Sequence, residues 1–177
     1  MNQKLKLTDL TLKDALDLAI LVEEEAHHRY LEFERQIGAS NEYDAGSFFL
    51  KMAENESKHA EELRKKRVEL FGNEKSRIDL ESMYQFQEIE APEFDYAQSF
   101  MSVKDALLVA KNCEIKAFEF FEKAANLVTD KEVKDLFNHL KEEEIEHRKM
   151  VEEIISKIKT ESGPTISKED IDEPNGL

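Results

Sequence analysis

The chain has 177 residues, enough for one domain and a tail, and its formal net charge of −15 argues against nucleic acid or an anionic membrane as a partner. A single cysteine, Cys113, excludes an internal disulfide and any four-cysteine metal site within the chain. With only 5 glycines and 3 prolines, and no apolar run long enough for a bilayer span or a signal-peptide core, the composition predicts long helices and a cytoplasmic location.

In chain order, the first helix should begin at Thr11, where Thr11-Leu12-Lys13-Asp14 reads as a capping box with Asp14 in place of the usual Glu or Gln. Leu12, Ala15, Leu16, Ala19, Ile20 and Val22 then recur with helical spacing, and Gly38 is a natural stop. Ser40 or Asn41 can cap a second helix that ends at Phe71, before Gly72. So short a connection makes these two helices antiparallel neighbours. Residues 72–100 carry Met83, Tyr84, Phe86, Ile89, Phe94, Tyr96 and Phe100 among polar side chains, with Pro92 inside. That is too apolar for a free linker, so the segment is expected to pack along the bundle, with a short helix near 79–87. A third helix opens at the capping box Ser102-Val103-Lys104-Asp105, and a fourth at Thr129-Asp130-Lys131-Glu132, to end near 158. The expected domain is 1–159. The tail of 160–177, with Pro164 and Pro174, is polar and expected to be disordered.

The two halves repeat. Thr11-Leu-Lys-Asp-Ala-Leu16 aligns with Ser102-Val-Lys-Asp-Ala-Leu107, and the same offset relates Glu23 to Glu114 and Tyr30 to Phe121. An offset three residues shorter relates Glu56 to Glu144 and His59 to His147. The repeated unit is a helix hairpin. If a two-fold axis relates the hairpins, helices two and three run parallel, and the chain must climb the bundle between them. Helices of this size are about 40 Å long. The 72–100 segment covers that distance at roughly 3.3 Å per extended residue. The predicted fold is therefore an all-α antiparallel four-helix bundle with one long crossover between helices two and three.

The repeat also aligns chemistry. Glu56-Ser57-Lys58-His59 and Glu144-Ile145-Glu146-His147 each put a carboxylate and an imidazole on one helix face, a turn apart. Glu23 and Glu114 add one mid-helix carboxylate each. Two helices giving one Glu, and two giving Glu-x-x-His, is the ligand pattern of a di-iron carboxylate bundle. Four glutamates and two histidines in a core are prohibitive without cations. Two M²⁺ ions would neutralise the carboxylates, with Glu56 and Glu144 bridging and Glu23 and Glu114 terminal. Carboxylate and imidazole together suit iron.

Around these ligands, Tyr30 is the candidate catalytic side chain. It lies seven residues after Glu23 on the same face, placed to hydrogen-bond a ligand or give an electron, or simply to pack as Phe121 would. His27, four after Glu23, is a candidate neighbour of that ligand. His28 and His139 are expected at the surface, while Cys113, Met52 and Met150 are expected to pack. In the run Lys141-Glu142-Glu143-Glu144, only Glu144 is expected to turn inward.

The motifs Glu23-x-x-Ala26-x-x-x-Tyr30, Glu56-x-x-His59, Glu114-x-x-Ala117 and Glu144-x-x-His147 resemble the rubrerythrin branch of the ferritin-like superfamily, over about residues 11–159. The resemblance implies a non-haem di-iron centre with two iron ions that reacts with peroxide or dioxygen, in a dimer or larger assembly. Rubrerythrins carry a rubredoxin domain that feeds in electrons, and a further glutamate one turn after the third-helix ligand. Here the only cysteine is Cys113 and that position is Ala117. An external donor such as a rubredoxin-type protein is therefore expected. The six-ligand set is equally similar to ferritin ferroxidase centres, so iron oxidation for storage or detoxification is the alternative activity. A metal-binding scaffold without turnover is the other alternative.

Overall fold

The structure, a computed structural model, describes residues 6–37, 45–86 and 102–161. Helix α1, Leu12–Ile37, starts as its sequence predicts. The Thr11 N–H donates to Asp14 Oδ2 at 2.8 Å, and the Asp14 N–H donates to Thr11 Oγ1 at 3.3 Å. Arg77 lies over this cap. Its Nε and Nη2 donate to the two Asp14 carboxylate oxygens at 2.6 Å each, and Nη2 reaches the Asp9 carbonyl at 3.0 Å. The pair is bidentate, the strong form of the Arg–carboxylate bond. It pins the segment after the second helix onto the start of the first.

Helix α2, Ala45–Phe71, stops where Gly72 adopts φ 57°, a left-handed conformation that costs glycine no steric penalty. Arg67 seals this end. It donates to Asp17 of α1 at 2.8 Å and to the Gly72 carbonyl at 2.7 Å. The short α3, Leu80–Phe86, falls within the segment expected to be helical. Helix α4, Val103–Leu127, has the predicted capping box on Ser102 and Asp105.

The start of α5, Lys131–Glu161, corrects the sequence reading. Its cap is Asp130, not Thr129. Asp130 Oδ1 accepts the N–H of Glu132 at 2.9 Å and of Val133 at 3.0 Å. An aspartate satisfies two orphan donors as well as a threonine does, so the helix starts one residue later. The helix also runs three residues past the expected end, since no breaker precedes Gly163. The expected stop at Gly38, the caps at Ser40 or Asn41, the stretch 87–101 of the crossover and the tail from 162 lie outside the described residues.

The direction of each helix follows from what its ends pack against. One core cluster joins the start of α1 (Ala15, Leu16, Ala19), the end of α2 (Leu63), Met83 of α3, the end of α4 (Phe121, Ala124) and the start of α5 (Val133, Phe137). A second joins the end of α1 (Phe33, Ile37), the start of α2 (Phe49, Met52), the start of α4 (Val103, Leu107) and the end of α5 (Val151, Ile158). Thus α1 and α5 run one way, and α2 and α4 the other. The chain crosses from one end of the bundle to the other between α2 and α4. This is the ferritin-like antiparallel bundle. Among the described residues, no helix is long and apolar enough to cross a membrane.

Candidate metal centre

Between the two apolar clusters each long helix carries polar side chains inward, and that layer is the site. Glu23 on α1, Glu56 on α2, and Glu114 on α4 are buried, as are Glu144 and His147 on α5. Burying five such groups in one layer follows from register: each sits on its helix's apolar face, between core residues a turn or two away on either side.

The side chains fall into three interlocking groups, within each of which the ligand atoms lie no more than 4.8 Å apart. Glu114, Glu144 and His147 form one, Glu56, His59 and His147 the middle one, and Glu23, His59 and Glu143 the third. All six residues chosen from sequence are among them. His147 Nδ1 lies 3.1 Å from Glu56, 3.5 Å from Glu114 and 3.8 Å from Glu144. His59 Nδ1 lies 3.8 Å from Glu23 and 3.9 Å from Glu56. The two imidazoles stack, with centroids 5.2 Å apart and planes 10° from parallel.

The fit to metal rests on atoms without partners. Glu56 Oε1, His59 Nδ1 and His147 Nδ1 are buried and accept or donate no hydrogen bond. Orphaned buried polar atoms are rare because each costs its full desolvation. Here three converge from two helices onto one another, as lone pairs arranged around a cation do. The donor set of carboxylates and imidazoles is one that binds first-row transition metals.

Electrostatics points the same way. Burial pushes the carboxyls of Glu56 and Glu144 well above the usual carboxylate range, and neighbouring glutamates add to this. Burial alone would lower His147, but Glu114 and Glu56 outweigh it and carry the imidazole up to about 9. Burial likewise opposes ionisation of Glu114, yet His147, Glu144 and Tyr30 around it hold that carboxyl below its ordinary value. Protons thus do, in part, what cations would do better.

Tyr30 is fully buried, and its hydroxyl donates to Glu114 Oε1. Burial and the nearby Glu114 and Glu56 raise the phenol well above its ordinary value, so it stays neutral. Its ring also packs, stacked on Phe49 at 6.2 Å, so the hydrogen bond and the packing occur together. His27 turns elsewhere: its Nδ1 lies 2.8 Å from the Ala53 carbonyl and ties α1 to α2. His28 and His139 are exposed, Cys113 is buried, and Ala117 packs partly buried against the apolar cluster.

Glu143 is the residue that sequence reading missed. It is half-buried rather than solvated, with Oε1 3.8 Å from His59 Nε2 and 3.4 Å from His139 Nε2. Burial raises its carboxyl above the ordinary value. The signal was present in spacing, since Glu143 is one turn before His147 on the same face. It was masked by the run of acids around it.

The chain matches the Rubrerythrin family over residues 14–162. It is also similar to the crystal structure of an uncharacterised conserved protein from Magnetospirillum magnetotacticum MS-1. The two are 27% identical, with a TM-score of 0.69 over 89% of this chain and 100% of that one. No curated protein matches the sequence. With the family match covering nearly the whole bundle and its Glu/His layer, the chain belongs to the rubrerythrin family.

Proposed function

We propose that this protein is a non-haem di-iron oxidoreductase that reduces hydrogen peroxide or dioxygen with electrons from an external donor such as a rubredoxin-type protein. The observation that carries the proposal is the convergence of four buried glutamates and two histidines from four helices, with Glu56 Oε1, His59 Nδ1 and His147 Nδ1 left without partners. Two ions held by Glu23, Glu56, His59, Glu114, Glu144 and His147 would balance the four carboxylates. Bound iron supplies one electron from each of two ferrous ions, and H₂O₂ takes these with two protons to give two waters.

The chain's own groups do the rest. Glu56 and Glu144 lie centrally enough to be shared between the ions, and each gives up its proton when cations enter. Tyr30 fixes Glu114 in one orientation through its hydroxyl, and its neutral phenol adds no charge to the layer. The apolar clusters above and below restrict water to the layer itself. The open side is the His59 edge, where His59 and Glu143 are 22% and 23% exposed while Glu23 is 2% exposed, so a small polar oxidant enters there.

That same edge favours a second reading, oxidation of ferrous ion for storage or detoxification, because an ion needs a polar way in and out. Stopped-flow mixing of anaerobically iron-loaded protein with H₂O₂ or O₂, in the presence of a reductant, separates the two. Repeated turnover with iron retained supports the oxidoreductase. Ferric ion leaving after one turnover supports the second reading, and no oxidation by either oxidant contradicts both.

A further inference from the structure

The repeat predicts a site with two equivalent halves, and the structure departs from that at two places. Tyr30 donates a hydrogen bond to Glu114, but its repeat partner is Phe121, which has nothing to donate to Glu23. Glu143 joins Glu23 and His59, but the residue at its matching place on α2, immediately before Glu56, is the uncharged Asn55. Both departures act in one direction. The half around Glu114 and His147 gains a neutral donor, while the half around Glu23 and His59 gains a carboxylate.

We propose, building on the metal-centre reading above, that Glu143 is a seventh ligand, specific to the ion held by Glu23 and His59, and makes that position the tighter of the two. Its oxygen, one oxygen of Glu23 and one nitrogen of His59 lie within 4.8 Å of one another, close enough for one ion to touch all three. The pocket they enclose is not an acidic surface patch. His59 Nδ1 is buried without a hydrogen-bond partner, 3.8 Å from the inaccessible Glu23 carboxylate and 3.9 Å from that of Glu56. An additional carboxylate on one ion raises the local negative charge, which favours cation binding there over the other position. Partly exposed at the open edge, Glu143 is also the first ligand that an entering cation meets.

The test is a titration of the metal-free protein with Co²⁺ alone, read by calorimetry and by the visible Co²⁺ spectrum, in wild type and Glu143→Gln. Glutamine keeps the shape and the hydrogen-bond acceptor but removes the charge. The side chain is at the surface edge, so the fold should hold, as far-UV circular dichroism can verify. Wild type should bind two equivalents, the first more tightly. In Glu143→Gln that first step should weaken at least about tenfold, with the second unchanged. The loss should vanish in a His59→Ala background and persist in a His147→Ala background. Unchanged affinities in the variant would overturn the assignment, since they would mean that Glu143 only accepts a hydrogen bond from His59. A loss that adds fully to that of His59→Ala would overturn it as well. Failure of wild type to bind Co²⁺ would instead overturn the metal centre, and this proposal with it.

Discussion

At the scale of single residues, the layer is made of carboxylates that are paired only imperfectly in the protein alone. Glu144 is buried among Glu114, Glu23 and His147, and the proposed centre has it shared between two ions. Glu144→Ala is therefore expected to leave at most one weakly held ion per chain, measured as metal content after desalting. Tyr30→Phe keeps the ring stacked on Phe49 but removes the donor to Glu114. A hydrogen bond to a charged group contributes about 1.5–3 kcal/mol, so chelated protein should lose that much stability in urea. His147 gives a pH signature. Its imidazole is raised from 6.5 to about 9 in the folded protein, so its stabilisation is complete below pH 6.5 and is lost as pH rises through about 9. Glu56 and Glu144 are also raised and act in the same direction. The thermal midpoint of chelated protein should thus fall between pH 6.5 and 9. Metal takes the place of those protons, so loaded protein should not show the fall.

At the scale of elements, the capping residues decide where helices begin, and one of them separates what the sequence shows from what it hides. Asp130→Ala should destabilise the protein by about 1 kcal/mol, a shift of a few degrees in midpoint, while Thr129→Ala should change it little. Equal effects would mean that both residues cap the helix in solution. Most of the elements were legible because local signals and periodicity agree: Thr11 with Asp14, Ser102 with Asp105, Gly72 after a long amphipathic run. The start of α5 was not, because Thr129 and Asp130 are both good caps and local sequence does not rank one above the other. The six-residue constellation was legible because it repeats. Glu143 was not, because a charge run looks solvated until the neighbouring helix places His59 against it. His27 showed the converse. Spacing put it near Glu23, but rotation about its own side chain sent it to the Ala53 carbonyl.

At the scale of the whole molecule, a polar layer divides the core in two, and metal is what would make that division stable. A ligand at a hundred times its dissociation constant stabilises the folded state by about 2.7 kcal/mol, so loading two ions should raise the midpoint by several degrees. The family match ends at residue 162 and α5 at Glu161, so truncation after Glu161 should leave helicity and metal content intact. Loss of either would mean that residues 162–177 pack on the bundle. The central claim is that six side chains, three from each hairpin, hold two ions between the apolar clusters. Anomalous diffraction at the iron absorption edge, from crystals of iron-loaded protein, tests it most directly. Two peaks per chain are expected, one beside Glu23, His59 and Glu143 and one beside Glu114 and His147, with Glu56 and Glu144 between them. Fewer than two peaks in that layer would contradict it.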